Sequence, residues 1–252
     1  MIKKGVVLAG GAGVRMRPAT LLTNKHLLPI YSNNEATPML MYPIQTLIKS
    51  GIEEILIISS REHCGSIIEY LSDGSQFGVS FTYKIQDTEH MSMGIASALK
   101  LAKNFTGEDN FSVILGDNFF AGSFKNEFEK FDLLENKASV FLKEVEDIKR
   151  FGCATLDVNS KVVKIVEKPS DPESNWAVTG LYIYSPYVYE ILPELSLSER
   201  GEVEITDLNN WYVKNNKMMA FTLNCYWSDM GTPISAKKTQ KFIEENNFII
   251  TI

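Results

Sequence analysis

Apolar residues are grouped in short runs separated by stretches of helical period. Residues 5–9 form a brief, β-branched run closed by glycines, which reads as a buried strand. Residues 55–58 (Ile-Leu-Ile-Ile) predict a second buried strand, the alternation over 79–85 a third, and 111–115 a fourth that ends at Gly116-Asp117-Asn118. Between them, Leu40, Met41, Ile44, Leu47 and Ile48 share one helical face. Thr37 as N-cap and Pro38 at the first helical position would open that helix, and Gly51 would end it. Pro43, one turn in, predicts a kink. Helices are also expected over 62–71, closed by Asp73-Gly74, and over 94–104. Phe124, Phe128 and Phe131, spaced four and three, would line the buried face of another.

The second half reads as more antiparallel. Strands are predicted at 138–145 and 179–184, with a hairpin of 153–157 and 161–166 around Val158-Asn159-Ser160. A short helix from Pro186, a helix over 204–213, a strand over 218–223, a loop at 227–231 and a last helix from Pro233 complete the chain. Strand-like runs alternating with helical ones indicate an α/β architecture. No repeat, low-complexity tract or linker interrupts it, so 1–252 reads as one domain.

Composition narrows the function classes. The 252 residues, 44% hydrophobic and 22% charged, suit a globular chain with a real core. A net charge of −6 argues against broad nucleic-acid binding, so any phosphate chemistry must rest on a few local cations. Cys64, Cys153 and Cys225 are widely spaced, without the pairing of a disulfide framework or a zinc site. No signal peptide or membrane-length apolar run is visible, and the cytoplasm is the expected compartment.

The candidate chemistry starts after the first strand, in Leu8-Ala9-Gly10-Gly11-Ala12-Gly13-Val14-Arg15. Glycines let backbone N–H groups approach a ligand, and a guanidinium fork suits phosphate oxygens. A plain tight turn is the alternative. The loop is neither a Walker loop nor a dinucleotide G-x-G-x-x-G, and Ile58-Ser59-Ser60 lacks the acidic residue that would end the second strand of a dinucleotide-binding oxidoreductase. Asp117 and Asp229 each follow an apolar run, where open α/β sheets bind ligands, and two hard carboxylates suit Mg²⁺. Each could instead merely cap a turn. Lys25 and Lys168 are further cations, and a solvated side chain is the commonest fate of either.

LAGGAGVRMRPAT, NKHLLPIY, VSFTYKIQD, VILGDN, RFG, VEKP, NWAVTGLYIY, RGEVEITDLNNWY and YWSDMGT occur in order along the chain. Together they resemble the glucose-1-phosphate thymidylyltransferases, within the sugar nucleotidyltransferases. The resemblance covers over nine-tenths of the chain, from which the short form is expected. It implies a Rossmann-like nucleotidyltransferase fold, a mixed central sheet flanked by helices, with a nucleotide-binding part over about 1–120 and a sugar-phosphate-binding part over about 121–232. It implies a homo-oligomer, dimer or tetramer, acting on a nucleoside triphosphate and a sugar 1-phosphate. Arg15, Lys25 and Lys168 would be catalytic, with Arg15 on the triphosphate. Lys25 would contact the α- and sugar-phosphate oxygens, and Lys168 would hold the sugar phosphate. Leu8, Ala9, Gly10, Gly11, Gly13, Gln86, Gly94 and Asp117 would bind nucleotide, with the Gln86 amide on the base. Gly152, Glu167, Lys168, Val178 and Thr179 would face the sugar phosphate. Asp117 and Asp229 would hold Mg²⁺.

Two departures from the family pattern bear on specificity. The segment 32–37 is inserted before the next helix, and 87–93 lengthens the base-recognition loop before Gly94. Ile148-Lys149 before Arg150 replaces the usual Pro-Glu. Preference for dTTP is the expectation, with UTP, CTP or another phosphorylated acceptor as rivals within the class. A non-catalytic nucleotide-sugar-binding protein is the rival outside it. His26 and His90 lie near the proposed site without an assigned role.

Overall fold

The computed structural model describes residues 1–11, 13–32, 35–87, 94–133, 137–198, 201 and 203–250. The chain is mixed α/β, with a central mixed sheet flanked by helices. It forms two compact units. One, here the N-terminal unit, comprises Lys3–Asp87, Ile114–Lys125 and Cys225–Ile252; the other, the central unit, comprises residues 1–2, 88–113 and 126–224. Asp117 and Asp229 both belong to the N-terminal unit. No helix among the described residues is long and apolar enough to cross a membrane.

In the N-terminal unit, Lys4–Ala9, Glu54–Ser60 and Ser80–Gln86 run parallel, with Ala9 opposite Ser59 and Ser60 opposite Gln86. Residues 55–58, the continuous apolar run, are buried throughout, as befits the middle strand of a parallel set covered on both faces. Parallel pairing brings three C-terminal strand ends to one edge, and the glycine loop and Gln86 both start there.

Two local expectations are corrected here. Thr37 and Pro38 do not open a helix: Glu35–Pro38 is a strand paired antiparallel with Pro29–Ser32, Ile30 opposite Thr37, and the helix is Met41–Lys49. Backbone pairing outcompeted the capping signal. Pro43 then falls in the first turn, where its missing N–H costs no helical bond. Residues 227–231 are also not simply a loop, since Trp227–Asp229 pairs antiparallel with Asn118–Phe120. Neither three-residue strand carries enough period to be seen in the sequence. Phe119 anchors the pair, its ring edge-on to Tyr42 at 5.4 Å and to Phe248 at 5.0 Å, within a core that includes Met16, Met39, Met230 and Ile243. The final helix, Pro233–Glu245, starts from a reciprocal capping box of Thr232 and Ser235.

In the central unit, Val162–Glu167, Gly152–Leu156, Trp176–Tyr184 and Ala138–Glu144 are antiparallel neighbours in that order. Met218–Thr222 departs from the antiparallel expectation and runs parallel to Ala138–Glu144. It follows the helix Ile205–Lys214 in the chain. That helix is tied to the sheet by Asn210, whose amide accepts from Ile165 N at 3.0 Å and donates to Ile165 O at 2.7 Å. The expected helix over 94–104 is broken into Ile95–Leu99, a 3₁₀ turn and Lys103–Thr106.

Candidate active site

The glycine loop leaves the strand Lys4–Ala9 with Gly11 at φ +99° and Gly13 at φ +58°. Those angles disfavour residues with a Cβ, and at Gly13 the space is also taken. A Cβ there would lie 2.9 Å from Thr20 Cγ2 and 3.2 Å from Lys25 Cβ, so the loop packs directly on the stem of Lys25. At Gly10 a Cβ would stand 3.3 Å from Gln86 Oε1, so the Gln86 amide lies over the loop. Leu8 and Ala9 are buried strand residues whose carbonyls are used: Leu8 O accepts from Gly116 N at 2.9 Å, and Ala9 O from Asn24 at 3.4 Å and Ser59 at 3.3 Å.

Lys25 opens a 3₁₀ turn capped by Asn24, which accepts from His26 N at 2.8 Å. From there its ammonium reaches Asp117, with Nζ 2.6 Å from Oδ2, and both side chains are largely buried. Asp117 Oδ1 accepts from Asn118 Nδ2 at 3.0 Å, and Asn118 Oδ1 accepts from Trp227 Nε1 at 2.7 Å. Asp117 O also accepts from Met230 N at 2.7 Å, linking the Asp117 turn to the segment after Asp229. Gly231 closes the cluster. A Cβ on it would meet Arg15 Nη2 at 2.9 Å and Asp117 Oδ2 at 3.3 Å. Arg15, Lys25 and Asp117 are thus brought together, with Asp229 two residues from Gly231.

The electrostatics follow from this packing. Burial pushes the Asp117 carboxyl up, but the Lys25 ammonium and hydrogen bonds from Lys25 and Asn118 more than reverse it, holding the group well below the usual carboxylate range. His26 is 1% exposed beneath Gly116, where a Cβ would lie 2.8 Å from its ring. Burial, then the Lys25 charge, lowers its pKa to about 3, so it is a neutral packing residue at pH 7. Its Nδ1 lies 2.6 Å from Asn24 Oδ1.

The residues expected around a sugar phosphate lie in the central unit. Glu167 ends a strand, and its Oε1 is 2.9 Å from Lys168 Nζ. Its Oε2 accepts from Thr206 Oγ1 at 2.8 Å. Lys168 takes φ +42°, with its N–H donating to Phe151 O at 3.0 Å. Gly152 lies opposite Glu167 and Val178 in the sheet, and a Cβ on it would stand 3.5 Å from Glu167 Oε2 and 3.6 Å from Val178 Cβ. Gly152, Glu167, Lys168 and Val178 are therefore neighbours. Thr179 is not among them in any useful sense. It is 0% exposed, and its hydroxyl donates to Phe141 O at 2.8 Å on the adjoining strand. Gly94, at φ +109°, begins the helix Ile95–Leu99. The loop before it, 88–93, lies outside the described residues, as do Ala12 and His90.

Sequence reading missed Thr206, Asn118, Trp227 and Gly231. Thr206 lies in the first turn of its helix, and its role as a donor to Glu167 depends on helix–sheet packing. Gly231 carries a weak signal, a glycine two residues past a candidate carboxylate.

Among the described residues no group of three or more His, Cys, Asp and Glu side chains could by itself hold a metal ion. That does not conflict with Mg²⁺, which takes one or two carboxylates and completes its shell with water and phosphate oxygens. The donor set fits. Asp117, in the turn before the strand Asn118–Phe120, and Asp229, at the end of the strand paired with it, are hard oxygen donors, and Asp117 already receives a cation in the form of the Lys25 ammonium.

The family model described as nucleotidyl transferase matches residues 4–246. A curated glucose-1-phosphate thymidylyltransferase of Neisseria meningitidis is 38% identical over 244 residues, 96% of this chain and 82% of that protein. One of Xanthomonas campestris is 38% identical over 245 residues, 96% and 81% of the two chains. Among solved structures, a Bacillus anthracis protein provisionally designated glucose-1-phosphate thymidylyltransferase, in complex with sucrose, superposes with a TM-score of 0.89 at 41% identity, covering 98% and 97% of the chains. A UDP-glucose pyrophosphorylase at 24% identity and TM-score 0.85 shares the fold.

Proposed function

Because the chain belongs to the nucleotidyl transferase family and, within it, to the glucose-1-phosphate thymidylyltransferases, we propose that it condenses dTTP with α-D-glucose 1-phosphate to give dTDP-glucose and pyrophosphate. The observation that carries this reading is the packing of Arg15 and Lys25 with Asp117 beside a glycine loop that has Gln86 over it.

The chemistry asks little of acid–base catalysis. A sugar phosphate is already an anionic nucleophile at neutral pH, since its second pKa is about 6. One of its oxygens attacks the α-phosphorus in line, a new P–O bond forms, and the bond from the α-phosphorus to the bridging oxygen breaks with release of pyrophosphate. The obstacle is repulsion: each pair of unit charges about 4 Å apart costs about 4 kcal/mol at an effective dielectric of 20. Arg15 would neutralise the triphosphate tail, and Lys25 the oxygens around the α-phosphorus. Gln86 would match the N3–H and carbonyl of thymine with its amide. In the central unit, Lys168 would hold the phosphate of the sugar, while Gly152, Glu167 and Val178 would face the ring. The contacts that neighbouring groups make with Glu167 support its role, since Thr206 and Lys168 fix its carboxylate. Thr179 is left out because its hydroxyl is already bonded within the sheet. Asp117 and Asp229 would hold Mg²⁺, which when bound supplies positive charge to the phosphate oxygens.

The test is a panel of dTTP, UTP and CTP against glucose 1-phosphate and other sugar phosphates, scored by pyrophosphate release with and without Mg²⁺. The expected result is preference for dTTP with glucose 1-phosphate, dependence on the metal, and a loss of at least about 100-fold in Asp117→Ala. Preference for CTP would overturn the base assignment. Full turnover in EDTA, or in Asp117→Ala and Asp229→Ala, would overturn the metal assignment.

A further inference from the structure

We propose that Lys25 is a resident counter-ion for Asp117, so that a divalent cation must displace Lys25 to gain this carboxylate, and a nucleotide phosphate that takes up the lysine couples metal and triphosphate binding. This inference rests on the nucleotide and metal site proposed above.

Both oxygens of Asp117 are already engaged by protein donors, Oδ2 by Lys25 Nζ at 2.6 Å and Oδ1 by Asn118 Nδ2 at 3.0 Å. A cation arriving at Oδ2 would share one oxygen with an ammonium in a pocket of low solvent access, where the repulsion is poorly screened. The two cations exclude one another. What moves is constrained by the fold. The Lys25 Cβ is held against Gly13, where an added Cβ would come within 3.2 Å, and the 3₁₀ turn is fixed by Asn24. The remaining stem has rotatable bonds that let the ammonium swing without displacing the loop. Its base lies at the glycine loop, so a phosphate seated there offers a replacement for Asp117. Asn118 cannot yield in the same way, because its amide oxygen is tied to Trp227 Nε1 at 2.7 Å. Without nucleotide the metal must compete with the lysine for Asp117. With nucleotide bound, the competitor is removed and the carboxylate is released to the metal. By thermodynamic reciprocity, the metal must favour the nucleotide by the same factor.

The experiment measures Mn²⁺ binding without nucleotide, by calorimetry and by the electron paramagnetic resonance of free Mn²⁺. Lys25→Met, which keeps the stem and removes the charge, should bind Mn²⁺ at least tenfold more tightly than the unmodified protein, and Lys25→Gln should shift in the same direction. On the unmodified protein, acetylation of Lys25 by an N-hydroxysuccinimide ester, read by mass spectrometry, should rise at least threefold with saturating Mn²⁺. It should fall again when dTTP is added. The labelling arm needs no variant and decides the matter if neither substitution folds. If both variants bind Mn²⁺ no more tightly while Asp117→Asn abolishes binding, the counter-ion role is refuted and the metal site stands. Labelling that is indifferent to Mn²⁺ refutes it too. If Asp117→Asn binds Mn²⁺ as the unmodified protein does, the metal site itself is wrong.

Discussion

Acid should destabilise this protein through a single histidine. His26 is 1% exposed and sits between Asn24 and Gly116, and its pKa falls from 6.5 to about 3 in the folded chain. The folded state therefore refuses a proton that the unfolded state accepts below pH 6.5. The sign follows: the contribution is fully present above pH 6.5 and is lost as pH falls towards 3. At about 1.4 kcal/mol per pH unit, the loss between pH 7.5 and pH 5.0 is about 2 kcal/mol. Asp117 does not confuse the measurement, because its carboxyl is held below the usual range and stays ionised over this interval. His26→Asn keeps a donor near the position of Nδ1 and cannot titrate. Unfolding in urea, followed by tryptophan fluorescence at both pH values, should show the unmodified protein losing about 2 kcal/mol more than the variant. His26→Asn has its own packing cost, but that cost is the same at both pH values and cancels. If the two proteins lose stability equally on acidification, His26 is not buried in its neutral form and the packing described under Gly116 is wrong.

Two further perturbations separate positioning from stability. Gly231→Ala would place a methyl 2.9 Å from Arg15 Nη2, and the flexible guanidinium rather than the backbone should give way. We expect kcat/KM for nucleotide to fall about 10- to 100-fold with Tm nearly unchanged, since small misplacements of a charged group cost that much; a large fall in Tm with unaltered kinetics would contradict this. Thr206→Val removes the hydroxyl that donates to Glu167 at 2.8 Å while keeping its volume. The KM for glucose 1-phosphate should rise about fivefold, roughly 1 kcal/mol for a lost hydrogen bond, with the KM for dTTP unchanged. An equal rise in both KM values would mean that Thr206 acts on the fold and not on Glu167.

Much of this molecule is written in local sequence, because burial imposes periodicity that a linear chain must carry. The apolar runs at 5–9 and 55–58 could be read as strands since they are buried on both faces, and the strand Phe111–Leu115 falls where the pattern put it. Gly13 could be read as a turn residue, because only a glycine fits φ +58° against Lys25. Arg15, Lys25 and Asp117 were legible as candidates from residue type and punctuation. Their meeting was not. Lys25 and Asp117 are 92 residues apart in sequence, and nothing local encodes an ion pair of that separation. Pairing of Trp227–Asp229 with Asn118–Phe120 was equally invisible, for strands of three residues have no period and exist only because each has the other. The same holds at Thr37 and Pro38, where a strong helix-start signal lost to a hairpin partner. At Thr179 the strand was legible in the sequence, but the hydrogen bond of its hydroxyl to Phe141 O depended on which strand came to lie beside it. Sequence alone determined which groups could act; long-range backbone pairing and side-chain packing decided which of them stand within reach of one another, since those contacts join residues far apart along the chain.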